Sequence, residues 1–225
     1  MSWLMKLILI RHGEAEGNPE GRMLGCSDPP LTPIGIQQSQ ALNSYLWVHS
    51  PAPTQILTSP LQRASQTAQI LARATQQQPQ AAVQTFEDLR EISVGILTGL
   101  TWTEATATYP ELCQQLESQL DWLPIPQAET PTQINERAAR LWHNLLTQVE
   151  DQDHLWLVSH AGFLQYLLSV ILGCDKVWQI QVGPTAWFEL DISLPHLDFV
   201  NDPSRPLNTT LWKIQQFNAS PHWPG

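Results

Sequence analysis

The chain has 225 residues, 42% of them hydrophobic and 14% charged, with 10 Trp, 5 Phe and 3 Tyr. That is enough apolar material for a sizeable core and lies well outside the disordered class. Eleven Lys and Arg against 21 Asp and Glu give a formal net charge of −10, which argues against a nucleic-acid binder or a protein drawn to an anionic membrane. Its apolar runs, such as Leu7 to Ile10 and Leu167 to Leu172, fall far short of a ~20-residue membrane span, and the start lacks the pattern of a signal peptide. Cys26, Cys113 and Cys174 stand apart from one another and from any His cluster, so neither a disulfide framework nor a zinc site is expected. The expectation is one cytoplasmic α/β domain over residues 1–225, with no metal and no cofactor.

In chain order, Met5 to Ile10 is an apolar run that stops abruptly at Arg11, His12, Gly13 and Glu14, the pattern of a buried parallel strand delivering polar groups at its C-terminal end. Gly and Pro breakers fill Asn18 to Pro30, and Thr32 before Pro33 predicts an N-cap and a helix from Pro33 to about Tyr45. Ile56 to Thr58 repeats the grammar, ending at Ser59 and Pro60 before a helical pattern from Leu61 to Thr75. A glutamine-rich loop at Gln76 to Gln80 and a third strand at Ala82 to Phe86 follow.

A partly helical insertion is expected at about 96–131, with helix in Trp102 to Leu120 and three prolines in Leu123 to Pro131. Thr132 to Gln148 reads as a helix, Leu155 to Val158 as a strand ending in Ser159, His160, Ala161 and Gly162, and Phe163 to Leu172 as another helix. Thr185 to Ile192 and Thr209 to Phe217 read as late strands separated by a Pro-rich loop holding His196 and Pro203. Repeated strand, loop and helix units predict a mostly parallel sheet covered by helices, with ligands outside the carboxyl ends of its strands.

Four strand-end clusters carry a histidine or an arginine, and together they describe an oxyanion pocket. Arg11 and Arg63 can clamp the non-reacting oxygens of a phosphoryl group through charge-assisted hydrogen bonds. His12, with one ring nitrogen protonated, can attack phosphorus with the other. Glu91 can protonate the leaving oxygen and later help activate water, and His160 can donate hydrogen bonds that strengthen as charge spreads in the transition state. Gly13 is expected to let the backbone approach the anion. No GxGxxG follows Ile10 and no GxxxxGK[ST] occurs anywhere, which removes the nicotinamide and P-loop readings.

The string Leu9-Ile10-Arg11-His12-Gly13-Glu14 with Asn18, followed by Ser59-Pro60-Leu61-Gln62-Arg63-Ala64 with Gln66-Thr67-Ala68, resembles the histidine phosphatase superfamily, also called phosphoglycerate mutase-like. The resemblance spans residues 5 to about 190. Asp28, Leu31-Thr32, Gly35, Gln38, the segment from Leu89-Arg90-Glu91-Ile92 to Gly95, and Val158-Ser159-His160-Ala161-Gly162 match further motifs in the family's order.

The resemblance implies a three-layer α/β/α fold in which His12 is phosphorylated, Arg11, Arg63 and His160 hold the phosphate, and Glu91 is the general acid. It also implies an extra phosphate contact at Asn18 and rim positions at Arg22 and Ser59. Ala15, Thr98 and Ala161 depart from common family residues without removing a catalytic group. The mutase branch resembles a machine with a basic clamp, including adjacent arginines, in its insertion, and Trp102 to Leu120 holds no Lys or Arg.

The expected function is hydrolysis of a small phosphorylated metabolite, with that ester or free phosphate as the only partner. An oligomer is neither required nor excluded by the sequence. Phosphoglycerate mutase-type transfer and a noncatalytic phosphate-binding regulatory protein are the alternatives.

Overall fold

The computed structural model describes residues 4–73, 81–118, 123–148, 153–174, 180–193 and 212–223. The glutamine tract at 76–80 and the loop with His196 and Pro203 lie outside the described residues. Strand β1, Leu4–Arg11, is apolar almost throughout because both of its faces are covered. Met5, Leu7, Ile8, Leu9 and Ile10 are all fully buried. Helix α1, Pro33–His49, starts where Thr32 accepts a hydrogen bond from the Gly35 N–H, with proline in its first turn.

After β2, Gln55–Thr58, helix α2 runs over Gln62–Leu71, shorter than expected. The carboxylate of Asp28 caps it by accepting from the Gln62 N–H at 2.5 Å, a cap supplied from a different part of the chain. Strand β3, Val83–Thr85, precedes a segment with two short helices, α3 at Trp102–Thr108 and α4 at Pro110–Ser118, broken at Tyr109 before Pro110. Helix α5, Pro131–Gln148, strand β4, His154–Ser159, and helix α6, Ala161–Leu172, complete the helical layers. α6 begins two residues earlier than expected, directly after His160. Strands β5, Trp187–Ser193, and β6, Trp212–Ala219, close the order.

The six strands form one sheet in the order β3-β2-β4-β1-β5-β6. β1, β2, β3 and β4 pair in parallel, whereas β5 runs antiparallel to β1 and β6 antiparallel to β5. The alternation of side chains along each strand divides the core. On one face Leu7, Leu9, Leu155 and Leu157 meet Ile134, Ala138 and Leu141 of α5 and Phe163, Leu164 and Leu167 of α6. On the other, Ile8, Ile10, Trp156 and Val158 meet Leu42 and Leu46 of α1 and Ala64 and Ala68 of α2. The result is a three-layer α/β/α sandwich. Leu97, Ala105, Cys113 and Ile125 of the insertion join the first of these cores.

The sheet's connectivity selects where a ligand belongs. β1 leads into α1 on one face, while its parallel neighbour β4 leads into α6 on the other. In open α/β sheets such a divergence leaves a crevice at the carboxyl ends of the two strands. Arg11 and Ser159 are register partners at that edge, so His12 and His160 are the next residues out.

Candidate active site

The His12 N–H donates to the Ser159 carbonyl at 3.0 Å, extending the strand pairing by one residue and holding His12 beside His160. Their ring centroids are 5.0 Å apart with planes inclined by 62°. The protonation of His12 can be read from its partners. Nδ1 lies 2.6 Å from the Gly13 carbonyl, an acceptor, so Nδ1 carries the proton. Arg63 donates its Nε–H to His12 Nε2 at 3.2 Å, so Nε2 presents a lone pair. Burial holds the His12 pKa well below its ordinary value of 6.5, reinforced by the charges of Arg11 and Arg63 and opposed by the Gly13 bond. The imidazole is neutral and only 3% exposed.

Arg63 is 1% exposed. Besides contacting His12, it donates from Nη1 to the Ser27 carbonyl at 2.6 Å and from Nη2 to the Gly25 carbonyl at 2.8 Å. It ties α2, the loop after β1 and His12 together, and each Nη retains a second N–H. Arg11 donates from Nη1 to the Val182 carbonyl at 2.5 Å, and its Nε is buried without a partner among the described residues. Burial lowers the pKa of both guanidiniums, and the charge of Glu91 opposes that shift in each.

Glu91 sits at the start of α6. Its Oε1 accepts from the backbone N–H groups of Ile92 at 2.9 Å and Phe163 at 3.0 Å, and Oε2 accepts from Gly162 at 3.3 Å. Oε2, with the single longer contact, is the less engaged of the two oxygens. A Cβ at Gly162 would lie 2.8 Å from Glu91 Oε1 and 3.0 Å from Ile92 side-chain atoms, so glycine is what lets this carboxylate approach the helix. Sequence reasoning missed Arg137, which steadies the segment. It donates to the carbonyls of Asp88 and Arg90 at 2.8 Å, pairs with Glu129 at 2.9 Å, and lies 4.3 Å over the Phe163 ring. Its one sequence signal is that it is the first Lys or Arg after Arg90.

His160 is fully buried, and burial followed by the charges of His12, Arg63, Arg11 and Arg137 keeps its pKa well below 6.5. Its Nε2 is 2.8 Å from Ser59 Oγ, and its Nδ1 has no partner among the described residues.

The structure thus brings Arg11, His12, Arg63, Glu91 and His160 together around one strand edge. Three neighbouring residues named by the resemblance already have partners within the protein. Ser59 is fully buried behind His160, not at a rim, because β2 ends beside β4. Arg22 is engaged by the Gly99 carbonyl and the Glu104 carboxylate, each at 2.8 Å, as its segment bridges to Thr101. Asn18 accepts the Ala15 N–H through Oδ1 at 2.9 Å, closing its own turn. A Cβ at Gly13 would lie 2.5 Å from the Gly35 carbonyl oxygen and 2.8 Å from Ser39 Oγ, so glycine is what lets this loop pack on α1. Trp102, in the insertion, is 38% exposed and donates its indole N–H to Glu117 at 2.8 Å.

Chemically, the arrangement offers a neutral imidazole lone pair, one buried and one half-buried arginine, a second imidazole and a carboxylate. Residues 7–201 match the family described as histidine phosphatase superfamily (branch 1). The chain is 35% identical over 203 residues, 89% of its length and 87% of the relative's, to a Proteus mirabilis (strain HI4320) protein named "Probable phosphoglycerate mutase GpmB". It is 32% identical over 170 residues, 76% of each chain, to a Yersinia pestis (strain Pestoides F) protein of the same name. Among solved structures, phosphoserine phosphatase from Entamoeba histolytica in complex with 3-phosphoglyceric acid matches with a TM-score of 0.75 and 27% identity, over 97% of this chain and 98% of that one. Mycobacterial glucosyl-3-phosphoglycerate phosphatase shares the fold, with a TM-score of 0.75 at 23% identity over 96% and 100% of the two chains.

Proposed function

Since this chain belongs to the histidine phosphatase superfamily, branch 1, whose enzymes named above are phosphatases or mutases, we propose that it hydrolyses a small phosphomonoester through a phosphohistidine. The carrying observation is the fixed tautomer of His12, with Nδ1–H on the Gly13 carbonyl and the Nε2 lone pair toward Arg63. In the first step Arg63 turns its Nε–H from His12 Nε2 toward the phosphoryl oxygens, the freed lone pair attacks phosphorus and the ester P–O bond breaks. The departing oxygen takes a proton that Glu91, ionised before the ester binds, has gained from the incoming ester monoanion, and the positive charge on the phosphorylated ring is eased by Nδ1–H donating to Gly13. Arg11 and Arg63 grip the non-reacting oxygens, where their charge offsets the charge that develops. In the second step water attacks phosphorus, Glu91 takes its proton, the P–N bond breaks and Nε2 regains its lone pair.

Hydrolysis is favoured over transfer by the charge pattern beside the site. No Lys or Arg occurs from Glu91 to Glu136, which leaves that stretch without a cation to hold a three-carbon phosphoacid for return of the phosphoryl group. The mutase reading is kept in view by the names of the curated relatives.

One experiment tests both. The full chain is incubated with labelled phosphomonoesters, including both phosphoglycerate isomers, then quenched and analysed for phosphate, isomer and acid-labile protein-bound label. The expected result is free phosphate and label on the protein, with His12→Ala lowering turnover by about 10⁴-fold or more and abolishing the label. Isomer formation without phosphate release would establish transfer, and undiminished hydrolysis by the His12 variant would end the phosphohistidine account.

A further inference from the structure

Two buried imidazoles 5.0 Å apart cannot share one job, and the hydrogen bonds around them differ in a way that assigns the jobs. A neutral imidazole has one donor and one acceptor nitrogen, and the partner on one side decides what the other side offers. At His12 the partner is the Gly13 carbonyl, which takes Nδ1–H and leaves the Nε2 lone pair. At His160 the partner is on the opposite side of the ring, where Ser59 Oγ lies 2.8 Å from Nε2.

Ser59 itself has little freedom. It is fully buried, its N–H donates to the Val158 carbonyl at 3.0 Å, and its Oγ accepts the Leu61 N–H at 3.2 Å. One lone pair of the hydroxyl is therefore in use, and its proton has a single described acceptor, Nε2 of His160. Were Nε2 protonated instead, the Ser59 hydroxyl proton would be buried without an acceptor among the described residues. The bare Nδ1 of His160 would be unpaired as well. Two unsatisfied buried groups cost more than the alternative, in which Ser59 donates and only the Nδ1–H awaits a partner.

We propose that Ser59 is a positioning residue that sets the tautomer of His160, holding the proton on Nδ1 so that this nitrogen donates to an oxygen of the transferring phosphoryl group. The two histidines then share one tautomer but use opposite nitrogens, the Nε2 lone pair of His12 and the Nδ1–H of His160. The donor half of the assignment rests on the phosphatase reading, whereas the tautomer itself does not.

The test uses the full chain labelled with ¹⁵N-histidine, whose long-range ¹H–¹⁵N correlations distinguish protonated from bare ring nitrogens, with His160→Gln to assign the signals. In the unmodified protein His160 is expected to show a protonated Nδ1 and a bare Nε2, a readout that needs neither a variant nor a substrate. Ser59→Ala is expected to shift both nitrogens toward an average of the two tautomers. It should also lower kcat about ten- to a hundredfold, somewhat less than the loss of an oxyanion donor outright, and weaken inhibition by vanadate by a similar factor with KM changed far less. Ser59→Thr, which keeps the hydroxyl, should restore the His160 spectrum and most of the turnover.

A protonated Nε2 in the unmodified protein, or a Ser59→Ala spectrum identical to it, overturns the proposal even if phosphatase activity is robust. Absence of activity toward every ester, with the expected spectrum, removes the phosphatase reading and leaves the tautomer assignment standing.

Discussion

The sheet edge and the loop layer lying against it carry opposite charge. Arg11, His12, Arg63 and His160 gather at the edge, with Arg63 buried and Arg11 half-buried. In the layer above, Arg22 is the only Lys or Arg between Gly13 and Gln62, and none occurs from Glu91 to Glu136. The cations bordering that layer are already paired, Arg22 with Glu104, Arg90 with Glu87, Arg137 with Glu129 and Arg140 with Asp88. Positive charge is therefore concentrated where the phosphoryl group would be transferred and neutralised where the rest of the ester would lie. Buried guanidiniums are costly, and here carbonyl oxygens and the charge of Glu91 offset that cost.

The comparison breaks most sharply at Arg63. Three of its nitrogens donate to three different acceptors, His12 and the Gly25 and Ser27 carbonyls, a fork that an ammonium cannot reproduce. Arg63→Lys keeps the charge and loses the geometry, so kcat/KM is expected to fall by about 10²- to 10³-fold. Steady-state kinetics on any turned-over ester measures it, and a loss below threefold would show that charge alone suffices at the edge.

A smaller effect is expected at Gly162, where the edge meets Glu91. A methyl there would sit 2.8 Å from Glu91 Oε1 and push the carboxylate off its α6 N–H partners. Gly162→Ala should lower kcat by about ten- to a hundredfold, less than complete loss of acid catalysis, with little change in phosphate binding. An ester with a good leaving group, which needs no proton from Glu91, should recover most of that loss. Equal losses for good and poor leaving groups would mean that Glu91 is not the acid.

These residues differ in how visible they were before the fold was known. Local signals carried the elements: the apolar run of β1 ending at Arg11, the Thr32-Pro33 start of α1, and the β4 run ending at His160 all announce themselves within a few residues. The strand-end position of His12, Arg63, Glu91 and His160 follows from the same local grammar. What stayed hidden depends on partners distant in sequence. Asp28 capping α2, the Gly25 and Ser27 carbonyls on Arg63, and Ser59 lying behind His160 are contacts across 34 to 101 positions, and a backbone carbonyl has no residue signature at all. Helix α2 stops at Leu71, earlier than its composition suggested, and β5 lies antiparallel beside β1, an arrangement that alternation along a strand cannot reveal.

The mildest prediction concerns Arg22, where the two regions meet and where the family resemblance implied a rim contact with substrate. Its guanidinium is held by the Gly99 carbonyl and the Glu104 carboxylate, with the two side chains 38% and 45% exposed. An ion pair this open is screened by solvent and contributes little. Arg22→Ala should therefore lower Tm by no more than about 4 °C, leave kcat unchanged, and move KM by less than about threefold. Glu104→Gln should give the same modest pattern, and the double variant should be no worse than the larger single effect, because both act through one contact. If Arg22 instead grips the phosphoryl group, Arg22→Ala alone would cost about ten- to a hundredfold in kcat/KM, the weight of a charged hydrogen bond. Glu104→Gln, by freeing that guanidinium, would then raise kcat/KM, so opposite signs from the two single variants would redraw the boundary between the edge proposed to hold phosphate and the layer above it.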